Sequence, residues 1–274
     1  MNWVLAEEEH NRGSADPFVA RTTMQAGDIV ELYQLGKEQE IAAIGVYDSY
    51  RRHLHQCSDI ANRLVLEIET KGEVLKQHLA ERKDGEILRL PAAENLTNDV
   101  ETFLYHAKLG FREIKDVFLH TLNKGFRATT QFEHIANWSE KRFGEDNVLT
   151  RFLNENCGWV QKIIDSRNAV EHPDSRQLEI RNFHFNDEEG ILPPTWSLDG
   201  EDPKGIYADM QVLPINMLEF SELLLLYCLR NVKDISPIVI AEIPIEKRRQ
   251  EAPKRFIATL AQDVDENGLY KGGG

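Results

Sequence analysis

The chain has 274 residues, long enough to bury a sizeable core in one large domain or two small ones. Its 41% hydrophobic and 28% charged residues exclude wholesale disorder. Asp and Glu number 46 against 32 Lys and Arg, a formal net charge of -14, which excludes broad coating of nucleic acid because phosphate contacts need clustered cations. A small basic site on an acidic body stays allowed. Cys57, Cys157 and Cys228 form no CxxC pair and fit buried thiols of a reducing compartment better than a disulfide framework. The opening MNWVLAEEEH lacks the basic-then-apolar order of a signal peptide. Val212 to Val232 is the longest apolar region, but Glu219, Glu222 and Arg230 interrupt it. It reads as a buried helix and not a membrane span, so cytoplasm is the expected location.

Residues 1–25 mix Gly, Pro and charge and read as an N-terminal arm. From Asp28 to about Lys83 apolar residues recur at helical spacing, and Asp84-Gly85 and Pro91 punctuate the run. A second helix is expected from Asn98, which has capping-box spacing to Glu101, to Asn123 before Gly125. Thr130 and Glu133 repeat that signal for a third helix ending near Gly144, and a fourth runs from Asn147 to His172, stopped by Pro173. The pattern then changes. Leu178 to Phe185 alternates apolar and polar residues like a half-buried strand, Asp187 to Gly190 supplies a turn, and Thr195 to Leu198 a partner strand. Pro214 lies near the start of the leucine-rich helix through Val232, and Ile238 to Ile243 and Phe256 to Ala261 read as a second strand pair. The expected architecture is mainly α: a helical bundle over 26–233 with a β-hairpin insertion near 176–200, and a β-containing extension over 234–274.

The segment that speaks to function is Arg167-Asn168-Ala169-Val170-Glu171-His172-Pro173, closing the fourth helix. Leu149, Leu153, Val160 and Ile164 define that helix's buried stripe, and at about 100° per residue Arg167 falls on it. A buried arginine must have a partner. Arg167 and His172 stand about 140° apart on an ideal helix, so regular winding keeps them off a common ligand. Either Pro173 lets the imidazole swing off the helix end, or two chains pack motif to motif. A purely structural reading pairs Arg167 with Glu171 at i, i+4 and lets the C-terminal dipole favour His172.

Arginine, a polar residue, three more residues and histidine at a helix end within a helical bundle resemble the HEPN superfamily. The resemblance implies a HEPN-like bundle, a homodimer whose motifs face one another, and metal-independent RNA cleavage without a cofactor. Arg167, Asn168 and His172 would be catalytic. His172 would take a ribose 2′-OH proton or supply one to the leaving 5′-oxygen, Arg167 would hold the phosphate, and Asn168 would orient either. Many HEPN nucleases serve toxin–antitoxin or phage-defence systems, with an antitoxin or other protein as partner. A subgroup silenced by nucleotidyltransferase antitoxins carries Tyr two residues after the His, where this chain has Asp174. The alternative function is a non-catalytic HEPN-like module that binds a protein partner or nucleotide.

Lys247, Arg248, Arg249, Lys254 and Arg255 form a basic cluster that could guide RNA phosphates, although basic turns are usually just solvated. Lys108, Arg112 and Lys115 share one helix face. His106, Glu113, Asp116 and His120 lie on roughly one side of a helix, but that group contains no Glu-x-x-His pair, so no metal site is expected there. His53, His55 and Cys57 alternate at spacing two and would point apart.

Overall fold

The structure, a computed structural model, describes residues 12–81, 83, 87–188 and 190–272. Asp16 opens the first helix by accepting the N–H groups of Phe18 and Val19 at 2.8 and 3.4 Å. That helix, α1 (Pro17–Val19), runs through a short π-helical turn (Ala20–Met24) into α2 (Gln25–Tyr33). From Phe18 to Gln25 the chain is packed into the bundle and does not form the arm expected over 1–25. Ala20 and Thr22 are fully buried. Residues 1–11 lie outside the described residues.

The long helical pattern from Asp28 is two helices. Gln34 and Gly36 take positive φ values of 47° and 112°, which end α2 and start α3 (Lys37–Glu81). At 1.5 Å per residue α3 is about 67 Å long. Asp84-Gly85 lies outside the described residues.

The helix expected from Asn98 to Asn123 also divides, into α4 (Leu96–Glu113) and α5 (Asp116–Leu122). Ile114 and Lys115 at the break are both buried. Lys115 Nζ donates to the carbonyls of Ala128 and Thr130, which closes the following loop over the kink, and burial pushes its pKa down to about 8. Asn98 makes no capping bond; its carbonyl instead accepts the Thr102 hydroxyl. α6 (Phe132–Phe143) ends on Gly144 at φ 94°, and α7 (Val148–Glu171) is capped by the Asn147 side chain, both at the expected places. α8 (Ile206–Arg230) begins well before Pro214, which it carries internally.

The core lies where α3 packs on α4 and α8, and where α7 packs on α4, α6 and α8. Tyr47 and Tyr50 of α3 are fully buried and donate their hydroxyls to the carbonyls of Ser221 and Met217 on α8 at 2.6 and 2.7 Å. Phe111 of α4 meets Phe132, Trp159 and Phe220 edge to face, joining α6, α7 and α8. Gly110 permits the close α3–α4 approach, since a Cβ there would meet the Tyr50 ring at 3.2 Å. By length and composition α8 could cross a membrane, but most of it is buried in the bundle.

The β elements are small and antiparallel. β1 (Leu178–Arg181) pairs with β4 (Thr195–Leu198), β2 (His184–Asn186) with β3 (Gly190–Leu192), and β5 (Lys204–Gly205) lies beside β4. The strand expected from Leu178 to Phe185 is thus interrupted. Asn182 turns its amide onto Ala93, accepting its N–H and donating to its carbonyl, both at 3.0 Å. Phe183 is buried at this break and Phe185, in β2, comes out at 64% exposure. β6 (Ile238–Glu242) pairs with β7 (Phe256–Leu260), as their β-branched content predicts.

One polar network joins the chain's two ends to its most apolar helix. Glu222, near the middle of α8, is buried and salt-bridged to the buried Arg21. Gln25 donates to Glu222 and accepts the backbone N–H groups of Arg255 and Phe256. Arg255 also pairs with Glu242, at 2.9 Å, and with Glu219. Removing one partner of a buried pair strands the other charge. Glu222→Ala is therefore expected to lower the unfolding free energy by about 3–5 kcal/mol in urea titrations. Lys254→Ala, which breaks an exposed pair with Asp28, is expected to cost less than about 1 kcal/mol. Equal losses would contradict the role given to Glu222.

Candidate functional site

α7 delivers its last turn against α4. Arg167 lies at the edge of the helix's buried face, its side chain 18% exposed. Its Nε donates to Glu171 Oε1 at 3.2 Å, Nη1 points at the Glu101 carbonyl at 3.5 Å, and the guanidinium lies 5.4 Å from the Tyr105 ring centroid. The partner that a part-buried arginine requires is therefore present. Glu171 also accepts from Lys108. The Lys108 hydrogen bond, aided by Arg167, holds its carboxyl below the usual range.

His172 ends the helix as a residue before proline must, at φ -135° and ψ 65°. Its N–H donates to the Asn168 carbonyl at 2.8 Å, its own carbonyl accepts from Ser175, and the residue is exposed. Among the described residues the imidazole makes no hydrogen bond to Arg167 or Asn168. The Asn168 amide is turned toward Asp165, at 3.5 Å. Arg176 bridges Asp165 and Asp199, which fixes the hairpin to the helix end just beyond the motif.

The other sequence candidates separate. Lys247 donates to the Lys271 carbonyl, Arg248 and Arg255 pair with Glu242, Lys254 pairs with Asp28, and Arg249 is exposed. This cluster is held by partners on α2, α8 and β6, whereas the partners of Arg167 lie on α4 and α7. Lys108, Arg112 and Lys115 do not act as one face: Lys108 holds Glu171, Arg112 is exposed and Lys115 is buried. Asp116 and His120 lie on α5, beyond the break that separates them from His106 and Glu113.

His106 and Glu113 instead meet His53 of α3. His53 Nδ1 is 3.1 Å from His106 Nδ1, and His53 Nε2 is 3.3 Å from Glu113 Oε1. The three groups run in a line and do not surround a point; among the described residues no three such side chains could hold one metal ion. His55 is buried against Phe18 and Asp16, and Cys57 points at the Phe103 carbonyl with burial raising its thiol far above the ordinary range. Helical spacing puts His106 and Glu113 on one face of α4. Which α3 residue meets them is set by the packing register of two helices distant in sequence, which periodicity does not reveal. Tyr105, between Arg167 and His106, was missed for the same reason.

Burial, helped by the neighbouring His53, holds the His106 pKa below its ordinary 6.5. The folded chain then binds that proton less readily than the unfolded chain. The contribution to stability is full above pH 6.5 and is lost as pH falls through the folded pKa. Urea midpoints at about pH 7.5 and about pH 5.5 should drop less on acidification in His106→Gln than in wild type. An equal drop would contradict the environment described for His106.

No family model matches the chain, and neither a curated protein nor a solved structure is detectably similar to it.

Proposed function

We propose that the chain is a HEPN-like, metal-independent endoribonuclease that acts as a homodimer. The observation that supports this reading best is the end of α7. There Arg167 is pinned by Glu171 and Tyr105 while His172 leaves the helix with an exposed imidazole. The ribose 2′-oxygen attacks the adjacent phosphorus and the bond to the 5′-oxygen breaks, leaving a 2′,3′-cyclic phosphate and a 5′-hydroxyl. Arg167 neutralises charge on the phosphate oxygens, Asn168 helps orient the reacting groups, and His172 moves a proton. Arg167 and His172 of one chain are not bonded to each other, so a two-fold partner that brings two motifs face to face completes the site. The setting proposed is toxin–antitoxin or phage defence, with an antitoxin-like protein as regulator. Lys247 and Arg249 are the exposed cations of the second cluster that would guide an RNA strand, Arg248, Lys254 and Arg255 being paired with carboxylates.

The ion pairs of Arg167 and Lys108 with Glu171 favour a second reading, a non-catalytic HEPN-like module that binds a protein partner or nucleotide. In that case the Arg167–Glu171 pair is purely structural.

Purified protein incubated with varied RNAs in excess chelator separates the two. Wild type should cleave, and His172→Ala should lose roughly 10²–10⁴-fold in rate. Arg167→Ala should lose cleavage with the fold intact, because a part-exposed i, i+4 pair contributes less than about 1 kcal/mol. Equal cleavage by wild type and His172→Ala would expose a contaminant, and no cleavage by wild type would favour the binding module.

The dimer has its own check. Sedimentation at tens of micromolar (roughly the range where a modest dimer persists) should show a two-chain species. A monomer there would count against the composite site.

A further inference from the structure

Cleavage by 2′-OH attack needs two proton transfers on opposite sides of the phosphorus, one from the 2′-hydroxyl and one to the departing 5′-oxygen. One His172 can serve one of them at a time, and in the dimer its copy is the rival for the other, which would make His172→Ala slow both substrates of the test below. Resting on the nuclease reading above, we propose that His106 is the second proton-transfer group, the base for the ribose 2′-hydroxyl, with His53 and Glu113 as its positioning residues.

Placement is the first argument. The Tyr105 ring meets the Arg167 guanidinium at 5.4 Å and the His106 ring, edge to face, at 5.2 Å. The group that would hold the phosphate and the imidazole that would take the proton thus both contact one aromatic ring, Arg167 from α7 and His106 from the side of α4 that meets α3. Lys108, one turn along α4 from Tyr105 and two from Glu101, holds Glu171 across the α4–α7 contact.

Hydrogen-bond polarity is the second. The Glu113 carboxylate can only accept, and its ion-pair contact with His53 Nε2, at 3.3 Å, favours the His53 tautomer with the proton on Nε2. His53 Nδ1 is then a bare acceptor. With that tautomer, His106 Nδ1, at 3.1 Å from it, carries its proton and donates. That leaves His106 Nε2 as a lone pair, the form a general base needs. The arrangement has the logic of a carboxylate that fixes the tautomer of a catalytic histidine, extended by one imidazole. The low-dielectric setting that keeps His106 neutral works in the same direction.

In the step itself, His106 Nε2 takes the 2′-hydroxyl proton as the 2′-oxygen forms its bond to phosphorus. The bond from phosphorus to the 5′-oxygen breaks, and that oxygen takes a proton from His172, which enters the reaction as imidazolium. Arg167 carries the charge that develops on the non-bridging oxygens. His106 ends protonated and His172 neutral, and exchange with water resets both.

The test uses two substrates: RNA, and uridine 3′-(p-nitrophenyl phosphate), whose p-nitrophenolate leaves without an acid. Loss of the base must slow both, and loss of the acid must slow only RNA. His106→Gln is expected to lose roughly 10²–10⁴-fold on each substrate. His172→Ala should lose that much on RNA while retaining most activity on the activated ester. Glu113→Gln, which keeps shape but no longer dictates the tautomer, should fall between His106→Gln and wild type on both. Imidazole ¹⁵N spectra of the folded protein at neutral pH should show His53 protonated on Nε2 and His106 on Nδ1. If wild type cleaves while His106→Gln matches it on both substrates, the inference is overturned and the nuclease reading stands. An Nε2-protonated His106 also overturns it. If wild type cleaves neither substrate, the reading fails and the inference falls with it.

Discussion

Glu222 is a carboxylate in the middle of the most apolar helix of the chain, where hydrophobic patterning alone would put a leucine. Its burial is tolerated because Arg21 and Gln25 approach from the N-terminal segment and Arg255 from the C-terminal hairpin. Each of these groups would be costly to bury without the others. Burial of charge in this way need not add stability over a well-packed apolar residue. What it can do is fix register. α8 can sit on α3 in only one rotation and one axial position if Glu222 is to meet Arg21 while Ser221 and Met217 meet Tyr47 and Tyr50. Everything downstream depends on that placement, because Phe220 of α8 anchors Phe111 and Trp159, and through them the α4–α7 seam.

The seam is where the chemistry-bearing residues gather, and Glu171 is its pivot. It accepts from Arg167 along its own helix and from Lys108 across to α4. In the resting chain the two cations are thus held by one carboxylate whose geometry resembles a bound anion. A phosphate entering here would compete with Glu171 for Arg167, and the part-exposed character of the pair makes that exchange cheap compared with breaking the Arg21–Glu222 pair. A strong buried pair belongs to the scaffold, and a weak rim pair belongs where a ligand must enter.

Where local chemistry decided the structure, the sequence could be read. Asn147 caps α7, Gly144 ends α6, Pro173 stops α7, and the β-branched runs at β6 and β7 pair with each other as expected. The errors share another cause. The α2–α3 break at Gln34 to Gly36 sits inside an unbroken apolar periodicity. The α4–α5 break exists because Lys115 reaches carbonyls in a later loop, and the strand breaks at Asn182 because its amide pairs with Ala93, 89 positions earlier. Each is a tertiary demand that overrides a local pattern. The N-terminal segment is the same case: its Gly, Pro and charge look like a tail until Arg21 is matched with Glu222. In the candidate site, the Arg167 and His172 positions were legible because one helix carries both. His106, Glu113 and Lys108 could be placed on helix faces, but their meeting with His53 and Glu171, and the place of Tyr105, could not, because helices from different parts of the chain create those contacts.

The charge distribution then bears on how any RNA reaches this seam. An acidic body repels a polyanion at long range, so association gains nothing from steering by the whole chain. The cations that might have offset this are largely spent: Arg248 and Arg255 on Glu242, Lys254 on Asp28, Lys115 on backbone carbonyls. Affinity for a nucleic acid must therefore come from few phosphates, stacking and shape, not from a continuous basic groove. That constraint suits an enzyme that reads one exposed nucleotide step in a folded or presented RNA, and it disfavours one that tracks along a strand. A two-fold dimer would double the cations at the seam without adding any to the outer surface, because each α7 end brings its own Arg167 and Lys108 to the shared face. The same acidic exterior would meanwhile remain available to a basic protein partner, so regulation and catalysis would use opposite signs of charge on different faces of one molecule.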